Sequence, residues 1–203
     1  MVERLGNHDQ TIRRSRLFTS WSTGSIKFCN AQIADELLEL SKNKYVSFMD
    51  LLRDIKEKTS INSKQLTILI ALNYFEDFGA NDYLLKIVDI YDKFSSAKVI
   101  SKNKMESLGI SEYLMGKYAA KETKSQYREI DNEGLIRELC SKIENKPLSI
   151  TEQIKFETEY LGYAAYTNPK IADYYYIVTE FAQYSDASRP YFTLYNLQTG
   201  ESV

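Results

Sequence analysis

Apolar positions in residues 25–94 recur with the period of an α-helix and predict four short helices. In the first of them, Ile33, Leu37 and Leu40 lie on one face. Polar residues that can cap a helix precede the apolar runs. The expected starts are Asn30, Ser47, Asn62 or Ser63, and Asn81, and the last two helices extend to Leu72 and Phe94. This part of the chain therefore predicts a run of short helices with short loops.

The periodicity weakens in residues 95–131, which are charged and rich in lysine. One short helix is expected there, at residues 111–120, and the rest is expected to be a linker. Two longer helices follow, at residues 132–144 and 149–161. The second begins with Ser149 and Glu152 in the spacing of a capping box. Residues 132–172 are therefore predicted to form a helical connector.

Alternating aromatic and β-branched residues mark the C-terminal part of the chain. Residues 174–181 and 191–197 have this pattern, and a turn-rich segment separates them. The alternation places Tyr174 and Tyr176 on one face of the predicted β-hairpin. Because two strands do not make a stable sheet alone, residues 173–203 are expected to be part of a larger β-domain. The predicted fold class is mainly α with this C-terminal hairpin.

Composition and charge narrow the classes of protein that the chain can represent. A net charge of −2 is atypical of a generally basic nucleic-acid coat, although a local basic patch would suffice for binding. Such a patch is expected in residues 1–24, an irregular basic segment. The two cysteines, Cys29 and Cys140, have no spacing partner and indicate reduced thiols in a cytoplasmic protein. No apolar run reaches the roughly 18–20 residues of a membrane span.

No catalytic constellation can be named from the residues. The chain has a single histidine, His8, which leaves no basis for a Ser/His/Asp or Cys/His arrangement. It also lacks a phosphate-binding P-loop and a dinucleotide-binding fingerprint. We therefore predict no catalytic residue, no metal site and no cofactor.

The segment at residues 71–79, Ala-Leu-Asn-Tyr-Phe-Glu-Asp-Phe-Gly, joins two predicted helices. With its flanks it resembles the helix-hairpin-helix region of the alpha subunit of bacterial DNA polymerase III, a family C replicative polymerase. Asn73 occupies a position where that family often has glycine. This replacement is mild, because asparagine tolerates a positive φ better than other non-glycine residues.

Two further segments resemble the same family, in the same order. Residues 24–30 resemble its first hairpin, with Phe28 and Asn30 in place of two glycines. Residues 156–163, with Asn168 and Pro169, resemble the step that leads into an OB-fold, a small β-barrel that contacts single-stranded template. The resemblance covers about residues 24–203. It implies a tandem helix-hairpin-helix domain at residues 25–94 and a partial OB-fold at residues 173–203.

The resemblance implies contacts between the hairpins and DNA phosphates. The implied hairpin residues are Lys27, Phe28, Asn30, Asn73, Tyr74, Gly79 and Asn81. Further candidates are basic residues that could contact phosphates and aromatic residues that could stack on bases. They are Arg13, Arg14, Arg16, Tyr174, Tyr176 and Arg189. Each group of residues also fits an alternative. The hairpin fits an ordinary αα-hairpin, the N-terminal arginines fit a solvated basic tail, and the tyrosines fit packing within a sheet.

The implied function is that of a DNA-binding fragment of a replicative polymerase. The family's metal-binding aspartates lie in a palm domain that this chain lacks, so the fragment would position DNA without catalysing nucleotide transfer. The expected partners are primer–template duplex, single-stranded template and other polymerase or replisome subunits. The alternative is a free-standing helical module that binds the replisome or its clamp and does not bind DNA.

Overall fold

Helices make up most of the regular structure, and two small antiparallel sheets complete it. The computed structural model describes residues 26–183 and 190–203, and this part of the chain contains eight α-helices. The fold is therefore mixed α and β, with more helix than strand. No helix in these two ranges is long and apolar enough to cross a lipid bilayer.

The helices are α1 (Ala31–Leu40), α2 (Phe48–Lys58), α3 (Ser63–Ala71), α4 (Asn81–Phe94), α5 (Lys102–Ser107), α6 (Glu112–Tyr118), α7 (Asn132–Ser141) and α8 (Ile150–Leu161). The strands are β1 (Val99–Ser101), β2 (Ala119–Glu122), β3 (Gln126–Ile130), β4 (Tyr176–Ala182) and β5 (Tyr191–Asn196).

Side-chain caps begin α1, α2, α3 and α8 where the sequence predicts them, whereas α4 begins at Asn81 without a side-chain cap. Asn30 Oδ1 accepts the Ile33 N–H, and Ser47 Oγ accepts the Asp50 N–H. The capping box predicted at Ser149 is confirmed, and α8 ends at Gly162 in the left-handed conformation, with φ 86°. Each cap of this kind contributes about 1 kcal/mol, so local chemistry sets many of the helix boundaries.

Residues 95–131 differ from the expected linker, because they fold into β1, α5, α6, β2 and β3. The three strands form an antiparallel sheet in the order β1-β3-β2. Ile100 of β1 lies opposite Tyr127 of β3, and both are buried in the same core as the helices. These strands are three to five residues long, and most of their residues are exposed or half-buried. A segment with so few buried residues gives no periodic signal.

The main hydrophobic core lies between the helices. Leu52, Ile55, Leu66 and Leu69 are fully buried in it. Phe75, in the turn between α3 and α4, packs on Phe48 with ring centroids 5.8 Å apart. Phe75 is thus a core residue, as its apolar surroundings in the sequence suggest.

The predicted C-terminal β-hairpin is confirmed. Strands β4 and β5 pair antiparallel, and a register shift between Val178 and Glu180 marks a bulge. Tyr195 and Leu197 pack with Ile154 of α8 in a small second cluster. The hairpin is therefore anchored at one end to the last helix.

A buried polar network connects α4, α8 and the segments on either side of α8. The Asn81 amide donates to Gln153 Oε1 at 2.6 Å, and its Oδ1 accepts the Leu148 N–H at 2.7 Å. Gln153 in turn donates to Glu157 Oε1 at 2.8 Å. The second oxygen of Glu157 accepts the N–H groups of residues 165 and 166 at 2.7 and 2.8 Å. The network therefore ties elements together that are far apart in sequence.

We predict that Asn81→Ala destabilises the fold by on the order of 2–4 kcal/mol. The substitution leaves the Leu148 N–H and Gln153 Oε1 buried without their partner, and each unsatisfied group costs about 1–3 kcal/mol. Urea unfolding followed by circular dichroism measures the change. Asn103→Ala is the matched control, because Asn103 is exposed on α5 and should shift the midpoint little. Equal midpoints for the two variants would contradict the assigned role.

A second polar cluster fastens α6 to α7. Glu138 accepts hydrogen bonds from Lys117 Nζ and from the Tyr118 hydroxyl, each at 2.6 Å. These two bonds, with that from Lys117 the stronger cause, lower the pKa of Glu138 to about 2. The carboxylate therefore stays ionised far into the acid range.

We predict that Glu138 contributes an acid-sensitive part of the stability. Its pKa is lower in the folded chain than in the unfolded chain, so its contribution is complete above about pH 4.5 and is lost as the pH falls towards 2. Glu138→Gln should flatten the dependence of unfolding free energy on pH in this window. Glu106→Gln is the control, because Glu106 is exposed and has no ion pair among the described residues. Parallel pH profiles for wild type and Glu138→Gln would refute this prediction.

Candidate nucleic-acid interface

The first hairpin leads directly into α1 and adopts a glycine-like backbone without glycine. Phe28 has φ 71°, in the left-handed region that L-residues rarely occupy. The turn is closed by the Cys29 N–H, which donates to the Ile26 carbonyl at 3.1 Å. It is held to α8 by the Lys27 N–H, which donates to the Tyr160 carbonyl at 3.0 Å. The hairpin thus holds a non-glycine residue in a conformation that glycine adopts most readily.

Backbone donors at this hairpin are open. The N–H groups of Phe28, Asn30, Ala31 and Gln32 have no acceptor among the residues that the structure describes. Three of them precede or begin α1, a helix of ten residues whose dipole places partial positive charge at this end. Free N–H groups at a helix N-terminus favour an anion such as phosphate.

Two lysines add positive charge at the same place. Lys27 is exposed in the hairpin, and Lys64 Nζ lies 3.8 Å from the centroid of the Phe28 ring. The neighbouring Gln65 side chain donates to the Phe28 carbonyl at 2.9 Å, which fixes the start of α3 against the hairpin. We call Lys27, Phe28, Asn30 and Lys64 the first-hairpin surface. Lys64 was not among the predicted site residues; its position just after a helix-capping asparagine is the only signal in the sequence.

Three carboxylates, those of Asp35, Glu36 and Glu39, lie along the same helix. Glu36 accepts the Ser60 N–H at 2.8 Å and the Gln32 side-chain amide at 2.9 Å. These bonds, the Ser60 backbone bond first, lower the pKa of Glu36. Hydrogen bonds thus stabilise the ionised Glu36 carboxylate, about one helical turn beyond the N–H groups at the start of α1.

The second hairpin has the backbone conformation that the sequence predicts. Asn73 has φ 60°, so it adopts the left-handed conformation that asparagine tolerates better than other non-glycine residues. The Tyr74 N–H donates to the Leu69 carbonyl at 2.9 Å and closes the end of α3. Tyr74 is half-buried, and burial raises the pKa of its hydroxyl to about 12.

The donors on either side of Asn81 are already used. The Ala80 N–H donates to Asn145 Oδ1 at 2.9 Å, and the Tyr83 N–H donates to the Lys146 carbonyl at 3.3 Å. Asn81 is only 2% exposed and belongs to the buried network. Gly79 is enclosed between the Tyr83 ring and Asn145. A phosphate at Gly79 or Asn81 would have to displace residues 145–148, so this hairpin is occupied by the chain itself.

The remaining candidates are separate from the hairpins in sequence. Tyr174 is 71% exposed, and its ring lies 4.9 Å from that of Tyr175, while Tyr176 begins β4 and is also exposed. Arg13, Arg14, Arg16 and Arg189 lie outside the described residues. The structure thus brings together Lys27, Phe28 and Asn30, and adds Lys64 to them.

Among residues 26–183 and 190–203, no group of three or more His, Cys, Asp or Glu side chains is arranged to hold a metal ion. Both cysteines are buried, and burial raises the pKa of Cys29 and that of Cys140, the latter to about 11. A thiol with such a pKa is a poor nucleophile at neutral pH.

The left-handed conformation of Asn73 can be tested by substitution. We predict that Asn73→Val lowers the melting temperature, because a left-handed backbone costs an L-residue roughly 1–2 kcal/mol and a β-branched residue tolerates it worst. Asn73→Gly should leave the melting temperature unchanged or raise it, since the exposed side chain makes no hydrogen bond. Thermal unfolding of both variants measures the difference. If the valine variant melts no lower than the glycine variant, this account of the hairpin fails.

Comparisons with known proteins do not identify a family. The chain matches no protein-family model, no curated protein and no solved structure at a significant level.

Proposed function

We propose that the chain is a DNA-positioning segment of a subunit similar to the alpha subunit of bacterial DNA polymerase III. In this proposal it holds duplex and template DNA through backbone contacts during replication, and does not itself transfer nucleotides. One observation carries it: the first hairpin holds Phe28 in a left-handed conformation, and four backbone donors beside α1 have no acceptor among the described residues. These are features of a hairpin that binds a phosphate.

The physical basis is a phosphate oxygen placed between the open N–H groups and two ammonium groups. Lys64 is already positioned by the Phe28 ring, so little side-chain freedom would be lost when it meets the phosphate. Contacts of this kind carry no sequence information. Binding should therefore be insensitive to base sequence and sensitive to salt.

The C-terminal hairpin supports the second part of the proposal, contact with single-stranded template in an OB-fold. Tyr174 and Tyr176 are exposed at the start of β4, where aromatic rings could stack on unpaired bases. Such stacking tolerates any base, which suits a template-guiding role.

One observation favours the alternative, a protein-interaction module that binds the replisome or its clamp. The hairpin of β4 and β5 exposes Val178, Phe181 and Phe192 as well as its tyrosines, and the rings of Phe181 and Phe192 lie 5.2 Å apart. Clustered exposed apolar residues are typical of contact surfaces between proteins.

We predict steeply salt-dependent DNA binding that depends on the first-hairpin surface. Fluorescence anisotropy with labelled duplex, primed template and single-stranded DNA, at about 50 and 200 mM salt, measures it. The double variant Lys27→Gln/Lys64→Gln should bind more weakly, and the slope of log affinity against log salt should fall by roughly two, one per lost phosphate contact. The control is Lys155→Gln/Lys170→Gln, which removes the same charge from exposed lysines without ion pairs among the described residues.

The outcomes separate the two candidates. Binding that is weakened only by the hairpin variant supports the DNA-positioning function. No binding to any DNA at 50 mM salt would overturn it and would favour the interaction module. A preference for single strands over duplex would place the main contact on the tyrosines of the C-terminal hairpin.

A further inference from the structure

Residues 81–130 form a unit whose element order is informative. Helix α4 is followed by β1, by α5 and α6 with a tight turn between them, and by the ribbon of β2 and β3. The sheet is antiparallel with the order β1-β3-β2. This is the topology of a winged helix-turn-helix, in which the second helix of the pair is the one that enters a DNA groove.

The turn between α5 and α6 has the geometry that this motif requires. Gly109 has φ 67° and open space around its Cα, and the Ile110 N–H donates to the Met105 carbonyl at 3.1 Å. Met105 and Ile110 are both buried. On α6, Leu114 and Met115 are buried too. One face of this helix therefore packs against the core, and the other face is exposed to solvent.

The presented face of α6 carries Glu112, Tyr113 and Gly116. Tyr113 is 85% exposed, an unusual position for a large aromatic side chain on a helix. Gly116 has no neighbouring atom within 4 Å of where a Cβ would lie, so the surface beside Tyr113 is open. A helix with one projecting aromatic ring and an open flank can approach base edges closely.

Beyond α4, the net charge of this unit is opposite in sign to that of the whole chain. Residues 98–130 contain seven Lys and Arg against four Asp and Glu, whereas the complete chain has 26 against 28. Three of the four acidic residues are engaged within the unit: Glu112 and Glu122 pair with Lys102, and Glu129 pairs with Lys121. The exposed basic residues without a carboxylate partner in the described parts of the chain are Lys98, Lys104, Lys124 and Arg128.

We infer that this winged unit is a second site for duplex DNA. Helix α6 enters the major groove, which is about 12 Å wide and admits an α-helix. Lys104 on α5 and Lys124 at the tip of the β2–β3 ribbon contact the phosphates on either side, and Tyr113 contacts base edges or the thymine methyl group. The site extends the proposed function, since it requires that the chain bind duplex DNA, but it does not depend on the first-hairpin surface.

The test uses the full chain and a 20-base-pair duplex in a salt titration by fluorescence anisotropy. Lys104→Gln/Lys124→Gln should reduce the log–log salt slope by roughly two and the affinity at 100 mM salt by about tenfold or more. Its melting temperature should equal that of wild type, because both side chains are exposed and unpaired within the described residues. The control Lys155→Gln/Lys170→Gln should change neither slope nor affinity.

A second variant separates groove contact from charge. Tyr113→Ser removes no charge, so it should weaken duplex binding about fivefold or more while the salt slope stays unchanged. A duplex RNA of the same length should compete poorly, because the deep, narrow major groove of A-form RNA does not admit side chains from a helix.

The outcomes distinguish this inference from the proposed function. If only Lys27→Gln/Lys64→Gln weakens binding, the inference is overturned and the first-hairpin proposal stands. If only the Lys104, Lys124 and Tyr113 variants weaken it, the winged unit is the DNA site and the first-hairpin proposal fails. If wild type binds no duplex at 50 mM salt, both are overturned. Equal competition by duplex RNA would also overturn insertion into the major groove.

Discussion

The arrangement of the helices depends on one buried hydrogen-bond network. It runs from Asn81 through Gln153 to Glu157. Amide and carboxylate groups in the interior cost free energy unless they are paired, and here they pair with groups from three separate segments. The network therefore specifies where α8 lies against α4. It also fixes residues 164–166, which lead from α8 towards the C-terminal hairpin. Glu157 thus has a structural role.

The same network decides what each hairpin can bind. Because Asn81 holds the Leu148 N–H, residues 145–148 lie over the start of α4, and Asn145 and Lys146 accept the N–H groups of Ala80 and Tyr83. At the first hairpin, Tyr160 and Gln65 engage the backbone, but the N–H groups before α1 have no acceptor among the described residues. Two hairpins with similar backbone conformations consequently differ in the one property that matters for a phosphate, the availability of donors.

Local chemistry was predictable from the sequence, and long-range pairing was not. Asn30, Ser47 and Ser149 cap helices through bonds to residues three positions away, so the signal lies within a short window. The left-handed conformation at Asn73 is a property of one residue type. By contrast, Ile100 and Tyr127 meet across 27 positions, and Asn145 reaches Ala80 across 65, so no local pattern reveals them. The winged unit and the covering of the second hairpin were therefore invisible in the sequence.

Charge placement explains how a chain with a net charge of −2 could still bind a polyanion. Many of its carboxylates are held in ion pairs on the same element or on an adjacent one, as Asp82 is by Lys86 and Glu138 by Lys117. Among the described residues, the cations without such partners include Lys27 and Lys64 at the first hairpin and Lys104 and Lys124 on the winged unit. Each surface alone offers few phosphate contacts and would bind weakly at physiological salt. Because both belong to one chain, a duplex held at one surface meets the other at a high effective concentration, provided that it can reach both. Two weak sites on one chain can thus give firm binding that tolerates any base sequence.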